Sequence, residues 1–572
     1  MRTDIAPLRL AIIGGGVSGL SSAYYLLQQA RANQRKLAIT LYERKPTLGG
    51  NADTVVVDLG DYIDDKGVQH AYLRWADLGV NDVNLTTYVK LKKIMQEIGY
   101  LDNMKPLQDT TSYFNRDGSL ALTDDAALRD GVTDPAFSLA RADHGRLAAL
   151  IKVVHRSAMN LLHTITPDYT VGHFFDDCVA RPVSMLGQAA EQLKIEIDWD
   201  DVHLPGRMAR VRDDIYYPRI AAMYFTDERG PETLPLQSPF EYYRLQEGDG
   251  TALPDRRYFE HGAQKWLEAL ATYLLDQSSE QVSITLHTAA PVRVQVLRDG
   301  VALTQAGQAP RHFDLCVLAT HADDTRHLLD FDTNMATWRH RIDSVLSTVS
   351  YTRGYAVCHT YAGKMPQNTN VWRTYNVLQR EAGASSFPYR MSYVENLHQN
   401  DPFNPQYSRA GLPLFLISLV KSLHEIPTED MLERVRQTHR VSPTMLAALP
   451  RTTQRQLRGE ALPTGYSTQQ DVLHHALSGK AWTAFKHNVL DARCIAAQND
   501  IGLYNEHVGA QIQRGHRPEC ALLFAGGWTR GAGLQEQCLE QSERIASWVL
   551  PATSGAFSPG TAFDRAVVAK AA

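Results

Sequence analysis

The sequence predicts an α/β fold: a parallel sheet built from strand–turn–helix units, with further α+β segments inserted between them. Three observations predict it. Leu8 to Ile13 (LRLAII) runs straight into Gly14-Gly15-Gly16-Val17-Ser18-Gly19 and then into a helical stretch from Leu20 to Gln29. A second apolar strand, Leu37 to Tyr42, follows. Near the other end, Ala521 to Ala525 reads as a strand, Gly526-Gly527 as its turn, and a helix runs from near Leu534 to near Val549.

The first glycine run carries the most chemistry. Gly14 allows a tight turn, Gly16 has no Cβ to hold a diphosphate off the backbone, and Gly19 lets the helix pack closely on the strand. The N–H groups of the first helical turn around Ser18 then face an anion. Glu43, directly after the second strand, stands where a dinucleotide fold carries the acid that accepts hydrogen bonds from ribose hydroxyls. A glycine-rich turn that binds nothing is the bland alternative. The strand before it, the helix after it and the acid beyond favour a dinucleotide site.

A chain of 572 residues exceeds the roughly 250 to 300 residues at which one core stops growing, so at least two domains are expected. Charged residues make up 21% and apolar ones 44%, the balance of a soluble globular protein. With 58 basic and 63 acidic side chains the net charge is −5, which does not point to nucleic acid. Met1 to Leu10 reads as lacking a targeting leader and no apolar run has membrane-spanning length, so a cytoplasmic protein without an integral membrane segment is expected. Six scattered cysteines form no CxxC pair and no zinc-like cluster, so no metal site is expected. Oligomeric state leaves no signal.

After Glu43 come Arg44 and the doublet Gly49-Gly50, then Asn51. Thr54 to Leu59 reads as a strand, and Asp64-Asp65-Lys66-Gly67 as a turn. Trp75 to Asn84 reads as a loop whose Asn and Asp cap a helix from about Thr86 to Ile98. From Asp102 to Leu253 the pattern changes: a hairpin Tyr113 to Thr123 turning at Asp117-Gly118, helices, then a stretch with Arg207, Arg210, Arg212, Tyr216, Tyr217, Tyr224, Phe225, Tyr242 and Tyr243. These could line a pocket for an anionic or planar ligand, or be core aromatics and solvated arginines. Gly262 to Leu275 reads as a helix. Val282 to Leu286, Val292 to Val296 and Val301 to Thr304 read as strands, and Phe313 to Thr320 as a buried one. Between Arg326 and His516, apolar runs at Gly354 to Thr360, Met391 to Leu397 and Leu412 to Val420 suggest a mixed sheet. Pro551 to Ala572 reads as a loose tail.

Several of these pieces resemble the flavin amine oxidase superfamily. Glu43-Arg44-Lys45-Pro46-Thr47-Leu48-Gly49-Gly50 is similar to the ribose acid and glycine doublet of that group, and Phe524 to Glu536 looks like its C-terminal flavin motif. Tyr355-Ala356-Val357-Cys358-His359-Thr360, Met365-Pro366, Trp372 and Tyr375-Asn376 resemble the bacterial amine-oxidase-like proteins predicted to bind NAD or FAD. The resemblance implies a Rossmann-like two-dinucleotide-binding FAD domain (residues 1–101, 262–325 and 517–550) with an inserted α+β substrate domain (102–261 and 326–516) and a tail (551–572). It implies FAD bound by Gly14, Gly16, Ser18, Gly19, Glu43, Arg44, Gly49, Gly50, Asn51, Val292, Gly526, Gly527 and Gln535. Val292 would meet the adenine through its backbone, or else be a plain core valine, and Asp77-Leu78-Gly79 would return to the flavin edge.

The same resemblance implies a hydride-abstracting oxidoreductase acting on a small-molecule substrate, by default an amine or amino acid, with electrons passed to oxygen or another acceptor. Related families desaturate or oxidise unsaturated lipids and isoprenoids, and a non-catalytic flavin-binding protein is a third class. Two departures concern the reacting face. Arg353 stands where many amine oxidases hold a lysine near the flavin, and of the usual pair of caging aromatics only Trp528 finds a match. Trp528 is expected either as a cavity wall or as a core residue. Cys538 falls within the last helix, away from the usual site of flavin attachment.

Overall fold

A computed structural model describes residues 7–63, 66–107, 109–114, 120–122, 141–224, 230–366, 369–378, 390–399, 415–435 and 479–551. At its centre is a five-stranded, all-parallel sheet. The first strand, Leu8–Ile13, lies in the middle, flanked by Leu37–Tyr42 and then Val282–His287 on one side, and by Leu315–Leu318 and then Leu522–Phe524 on the other. Parallel strands buried on both faces read as continuous apolar runs, as Leu10, Ile12, Leu41, Val317 and Leu523 do here.

Three helices cover one face of this sheet: Val17–Ala32, Ala263–Asp276 and Gln535–Val549. The first and last lie close because serines meet between them. Ser21 and Ser22 both donate to the Ser542 hydroxyl, and Ser542 donates to the Ser18 carbonyl at 3.1 Å. A four-stranded sheet (Val292–Leu297, Gly300–Gln305, Arg311–Phe313, Leu329–Phe331) stands beside the central one. The expected strand Phe313 to Thr320 is divided between the two sheets. At Asp314 the chain crosses over, the Asp314 carboxylate accepting the Arg9 N–H at 2.8 Å while the Asp314 N–H donates to the Arg9 carbonyl.

The second large unit is a seven-stranded mixed sheet in the order Trp482–Asn488, Tyr351–His359, Leu416–Val420, Arg390–Val394, Tyr375–Leu378, Thr111–Phe114, Leu120–Leu122. Every pair is antiparallel except Tyr375–Leu378 against Thr111–Phe114. The strand expected through Leu397 stops at Val394, because Glu395 opens a short helix whose N–H bonds back to Phe415. Helix Tyr217–Tyr224 packs on the strands Tyr375–Leu378 and Arg390–Val394 of this sheet, and helices Arg141–Leu161, Val171–Ala180, Pro182–Leu193 and Gln237–Glu247 pack among themselves.

The loop expected from Trp75 to Asn84 is largely strand: Gln69–Asp77 pairs with Thr54–Ile63, and Asp82–Asn84 pairs with Arg256–Phe259. The expected capping differs as well: the helix runs Val89–Glu97 with Tyr88 at its N-cap and no side-chain cap, and the Asn84 side-chain oxygen instead accepts the Thr86 N–H at 3.1 Å in the turn before it. The turn at Asp117-Gly118, the Asp64-Asp65 half of the first hairpin turn, Phe225, residues 412–414 and all of the tail beyond Pro551 lie outside the described residues. Among the described residues no helix is long and apolar enough to cross a membrane.

Candidate cofactor cradle and substrate cleft

The glycine positions converge at the edge of the parallel sheet where its strands end. Gly14 turns the chain at φ +111°, and a Cβ there would stand 2.5 Å from the Ala319 carbonyl oxygen. On Gly19 a Cβ would stand 1.9 Å from the Gly14 oxygen, so strand and helix meet at backbone contact. Gly16 faces Gly50 with only Cα surface between them, and the Gly49 N–H donates to the Gly15 carbonyl at 3.0 Å, which ties the doublet to the first turn. Helix Val17–Ala32 starts with no side-chain cap, leaving its first N–H groups for a ligand.

Glu43 is buried against this turn. One carboxylate oxygen accepts the Gly15 N–H and the other the Lys45 N–H, each at 2.7 Å. A carboxylate offers about four lone-pair sites, so two remain for ribose hydroxyls. Arg44 points outward, its side chain 64% exposed and 3.4 Å from Asp324. Val292 is buried at the start of its strand, and the preceding Ala289 and Ala290 donate to the Lys45 and Glu43 carbonyls at 2.7 and 2.9 Å. Asn51 is exposed and its carbonyl sits where a Cβ on Gly79 would be, 1.9 Å away. Asp77-Leu78-Gly79 therefore packs beside the doublet.

At the C-terminal turn, a Cβ on Gly526 would stand 2.1 Å from the Thr320 oxygen, and Gly527 packs against Gly533. Gln535 opens helix Gln535–Val549 with a buried side chain, and neither its amide oxygen nor its amide nitrogen has a protein partner. Native folds rarely leave such groups unpaired, so an unpaired amide at a helix start beside a glycine cradle fits a polar cofactor ring.

Trp528 differs from the cavity-wall expectation. It is 1% exposed, edge-on to Phe524 with ring centroids 6.3 Å apart, and it packs beside Gly526. A side chain lining an open chamber keeps accessible surface, so this indole is core beneath the turn. Arg353 is exposed on the seven-stranded sheet, in register with Lys486 of the neighbouring strand. Lys486 in turn bonds Asp323 at 2.6 Å.

The Arg/Tyr-rich stretch does not act together as one pocket. Arg207 pairs with Asp201, Arg210 with Asp214, and Arg212 with Asp213 and Asp176. Tyr216 stacks on Phe240, and Tyr243 packs edge-on to the same ring. Among the described residues of that group Tyr242 alone lines an open cleft, together with Asn81, Asp82, Asp109, Arg219, Gln246, Glu247, Arg256 and, from the seven-stranded sheet, Thr111, Tyr375, Val377, Met391 and Tyr393. The cleft begins at Asn81, two residues past Gly79.

Its wall is built on a buried polar network that no sequence pattern marks. Arg256 pairs with Asp82 and with Asp109, the latter at 2.8 Å. Tyr375 donates to Asp82 at 2.7 Å, and His398 Nε2 stands 3.3 Å from both. Burial alone would push the Asp82 carboxyl up, but Arg256 and then His398 and Tyr375 hold it well below the usual carboxylate range. On the far side, Gln399 spans Asp77 and the Asn81 carbonyl. Burial pushes Asp77 up to about 7 against the hydrogen bonds it accepts.

Comparison with known proteins meets this geometry at its N-terminal end. A family model described as an NAD(P)-binding Rossmann-like domain matches residues 12–77. A chloroplastic/chromoplastic zeta-carotene desaturase of Zea mays is 27% identical over 117 residues, which is 20% of this chain and 17% of the length of that relative. Among solved structures, wild-type putrescine oxidase bound to putrescine is 14% identical with a TM-score of 0.46, covering 96% of this chain and 100% of that one. Cyclohexylamine oxidase from Brevibacterium oxydans is 13% identical with a TM-score of 0.45, covering 95% and 99%. The stretch matched by that Rossmann-like model, residues 12–77, holds the glycine turn, Glu43 and the doublet.

Proposed function

We propose that the chain is an FAD-dependent oxidoreductase that removes a hydride from a carbon of a small polar organic molecule and passes the electrons to oxygen or another acceptor. Residues 1–101, 262–325 and 517–550 hold the cofactor in this reading, and residues 102–261 and 326–516 shape the substrate chamber. The observation that carries it is the cradle. Gly16 and Gly50 leave only Cα surface at the uncapped start of helix Val17–Ala32, and the buried Gln535 amide at a second helix start has no protein partner.

The residues present fit the group. The first-turn N–H groups around Ser18 take the diphosphate, the free lone pairs of Glu43 take the ribose hydroxyls, and the chain at Val292 flanks the adenine. Gln535 and the start of its helix address the polar edge of the flavin ring, with Gly526 and Gly527 keeping side chains out of its way. When bound, the flavin supplies the two-electron acceptor. The protein binds, orients and desolvates: the cleft from Asn81 to Tyr393 holds the substrate, and the Asp82, Arg256, Tyr375 and His398 cluster fixes the cleft wall. Its lining of charged, amide and phenolic side chains supports a polar substrate over an acyl or isoprenoid chain, which such a wall would solvate poorly. By resemblance an amine or amino acid is the first to test. A cytoplasmic location belongs to the same reading and is checked by cell fractionation.

Purified protein is expected to be yellow, and acid denaturation to release FAD into the supernatant. Colour that stays with the pellet overturns non-covalent binding. Anaerobic addition of amines, amino acids and alcohols, after a photoreduction control, should bleach the flavin with at least one donor. A protein reduced by light but by no organic donor would be a flavin carrier, not an oxidoreductase.

A further inference from the structure

The ionic groups of the cleft are already answered within the protein. Asp82 and Asp109 share Arg256, and Glu247 holds Arg219 through both guanidinium nitrogens. Two residues of the lining each carry a buried polar atom that no protein group answers: Arg256 Nε–H, a donor on a side chain 8% exposed, and Gln246 Oε1, an acceptor on a residue 6% exposed. Buried polar groups in native proteins are paired, and an unpaired one costs about as much as a lost hydrogen bond.

We infer that the cleft grips a neutral group that both accepts and donates hydrogen bonds, a hydroxyl or a carboxamide, seated between Arg256 and Gln246. This rests on the reading of the cleft as the substrate chamber and narrows it to the group recognised there. One hydroxyl oxygen can accept from Nε–H and donate to Oε1, and a carboxamide does the same with its carbonyl and its NH2. An ammonium only donates, so it leaves Arg256 Nε unanswered and meets carboxylates that already have a guanidinium. A carboxylate only accepts, and here it would lie against Asp82 and Asp109. An alkyl chain offers neither.

The test is ligand-observed NMR on the holoenzyme with four probes: propionamide, 1,3-propanediol, cyclohexylamine and hexanoate. Propionamide and propanediol are expected to bind, and Gln246→Met to weaken both about three- to tenfold, the size of one neutral hydrogen bond, while leaving any cyclohexylamine binding unmoved. If Gln246→Met does not fold, Arg256→Lys, which keeps the charge but loses Nε–H, should weaken propionamide to a similar degree. Binding of cyclohexylamine or hexanoate alone, binding of no probe, or propionamide affinity unchanged in the folded variant overturns the inference. Acid release of FAD from the same sample reports separately on the cofactor reading, which stands or falls on its own.

Discussion

Gln399 holds Asp77 from two directions: its amide N–H donates to the Asp77 carboxylate at 2.9 Å, and its side-chain carbonyl accepts the Asp77 backbone N–H at 3.0 Å. The same carboxylate accepts from the Ala263 N–H that opens helix Ala263–Asp276 and from the Thr54 hydroxyl. One buried acid thus joins the first hairpin, a helix on the parallel sheet and the end of the Glu395–His398 helix.

Because burial pushes Asp77 up to about 7, while an unfolded aspartate titrates near about 4, the unfolded chain binds fewer protons than the folded one between those values. Stability is fully present below about pH 4 as far as this group is concerned, falls as pH rises and levels off above about pH 7, by about 4 kcal/mol at most. Urea unfolding from pH 4 to pH 8 should show this slope in the wild type and lose it in Asp77→Asn. Equal slopes in both proteins would assign the pH dependence elsewhere.

Asp82 behaves with the opposite sign. Its depressed carboxyl contributes stability above the unfolded value of about 4, and that contribution is lost as pH falls below it. Asp82→Asn leaves Arg256 buried with Asp109 alone and is expected to cost about 3 to 5 kcal/mol at neutral pH. Tyr375→Phe, which removes one hydrogen bond from the same cluster, should cost only about 1 kcal/mol. Thermal melts of the two variants side by side check the ranking, and a milder loss in Asp82→Asn would mean that the pair is not dry.

Glu43→Ala is expected to lower FAD retention, since each charge-assisted hydrogen bond to the ribose is worth roughly 1.5 to 3 kcal/mol. It also strips the acceptor from the Gly15 and Lys45 N–H groups, so the apoprotein should lose some thermal stability as well. Dialysis followed by measurement of bound FAD decides the first point. Full occupancy after dialysis would show that the ribose is held by another group.

Trp528→Ala should act as a core truncation. A buried tryptophan typically loses about 3 to 5 kcal/mol on change to alanine, and the ring here is 1% exposed. Calorimetry should therefore show a large drop in melting temperature, with flavin reduction rates in the surviving holoenzyme close to wild type. A slow but thermally normal variant would restore the indole to the chamber wall.

Both glycine turns were legible from the chain because their signals are local: a continuous apolar strand, a turn that tolerates no Cβ, and a helix within about thirty residues. The helix Gln535–Val549 and the strands Val292–Leu297 and Gly300–Gln305 lie within a residue or two of their expected bounds for the same reason. The wall of the cleft was not legible. Arg256 meets Asp82 across 174 residues of chain and His398 meets Asp82 across 316, and nothing about an isolated Asp or His tells which partner it will find. Trp528 shows a subtler limit: its place after Gly526-Gly527 fixes the residue near the cradle, but the side to which the indole turns is decided by Phe524 beneath it.

The serine contact between helices Val17–Ala32 and Gln535–Val549 can form only late in synthesis. Leu522–Phe524 must add to the edge of a sheet begun by Leu8–Ile13, and Ser542 must find Ser21 and Ser22 across more than 500 residues of chain. On a ribosome, the opening strand and helix emerge long before their neighbours exist, and closing so distant a contact is entropically costly and slow. The mixed sheet between Thr111 and Asn488 is complete in synthesis before the cradle is. A nascent chain halted after residue 516 should therefore lack the Leu522–Phe524 edge and the Gln535 helix start, and bind FAD only once the Gln535–Val549 helix is released.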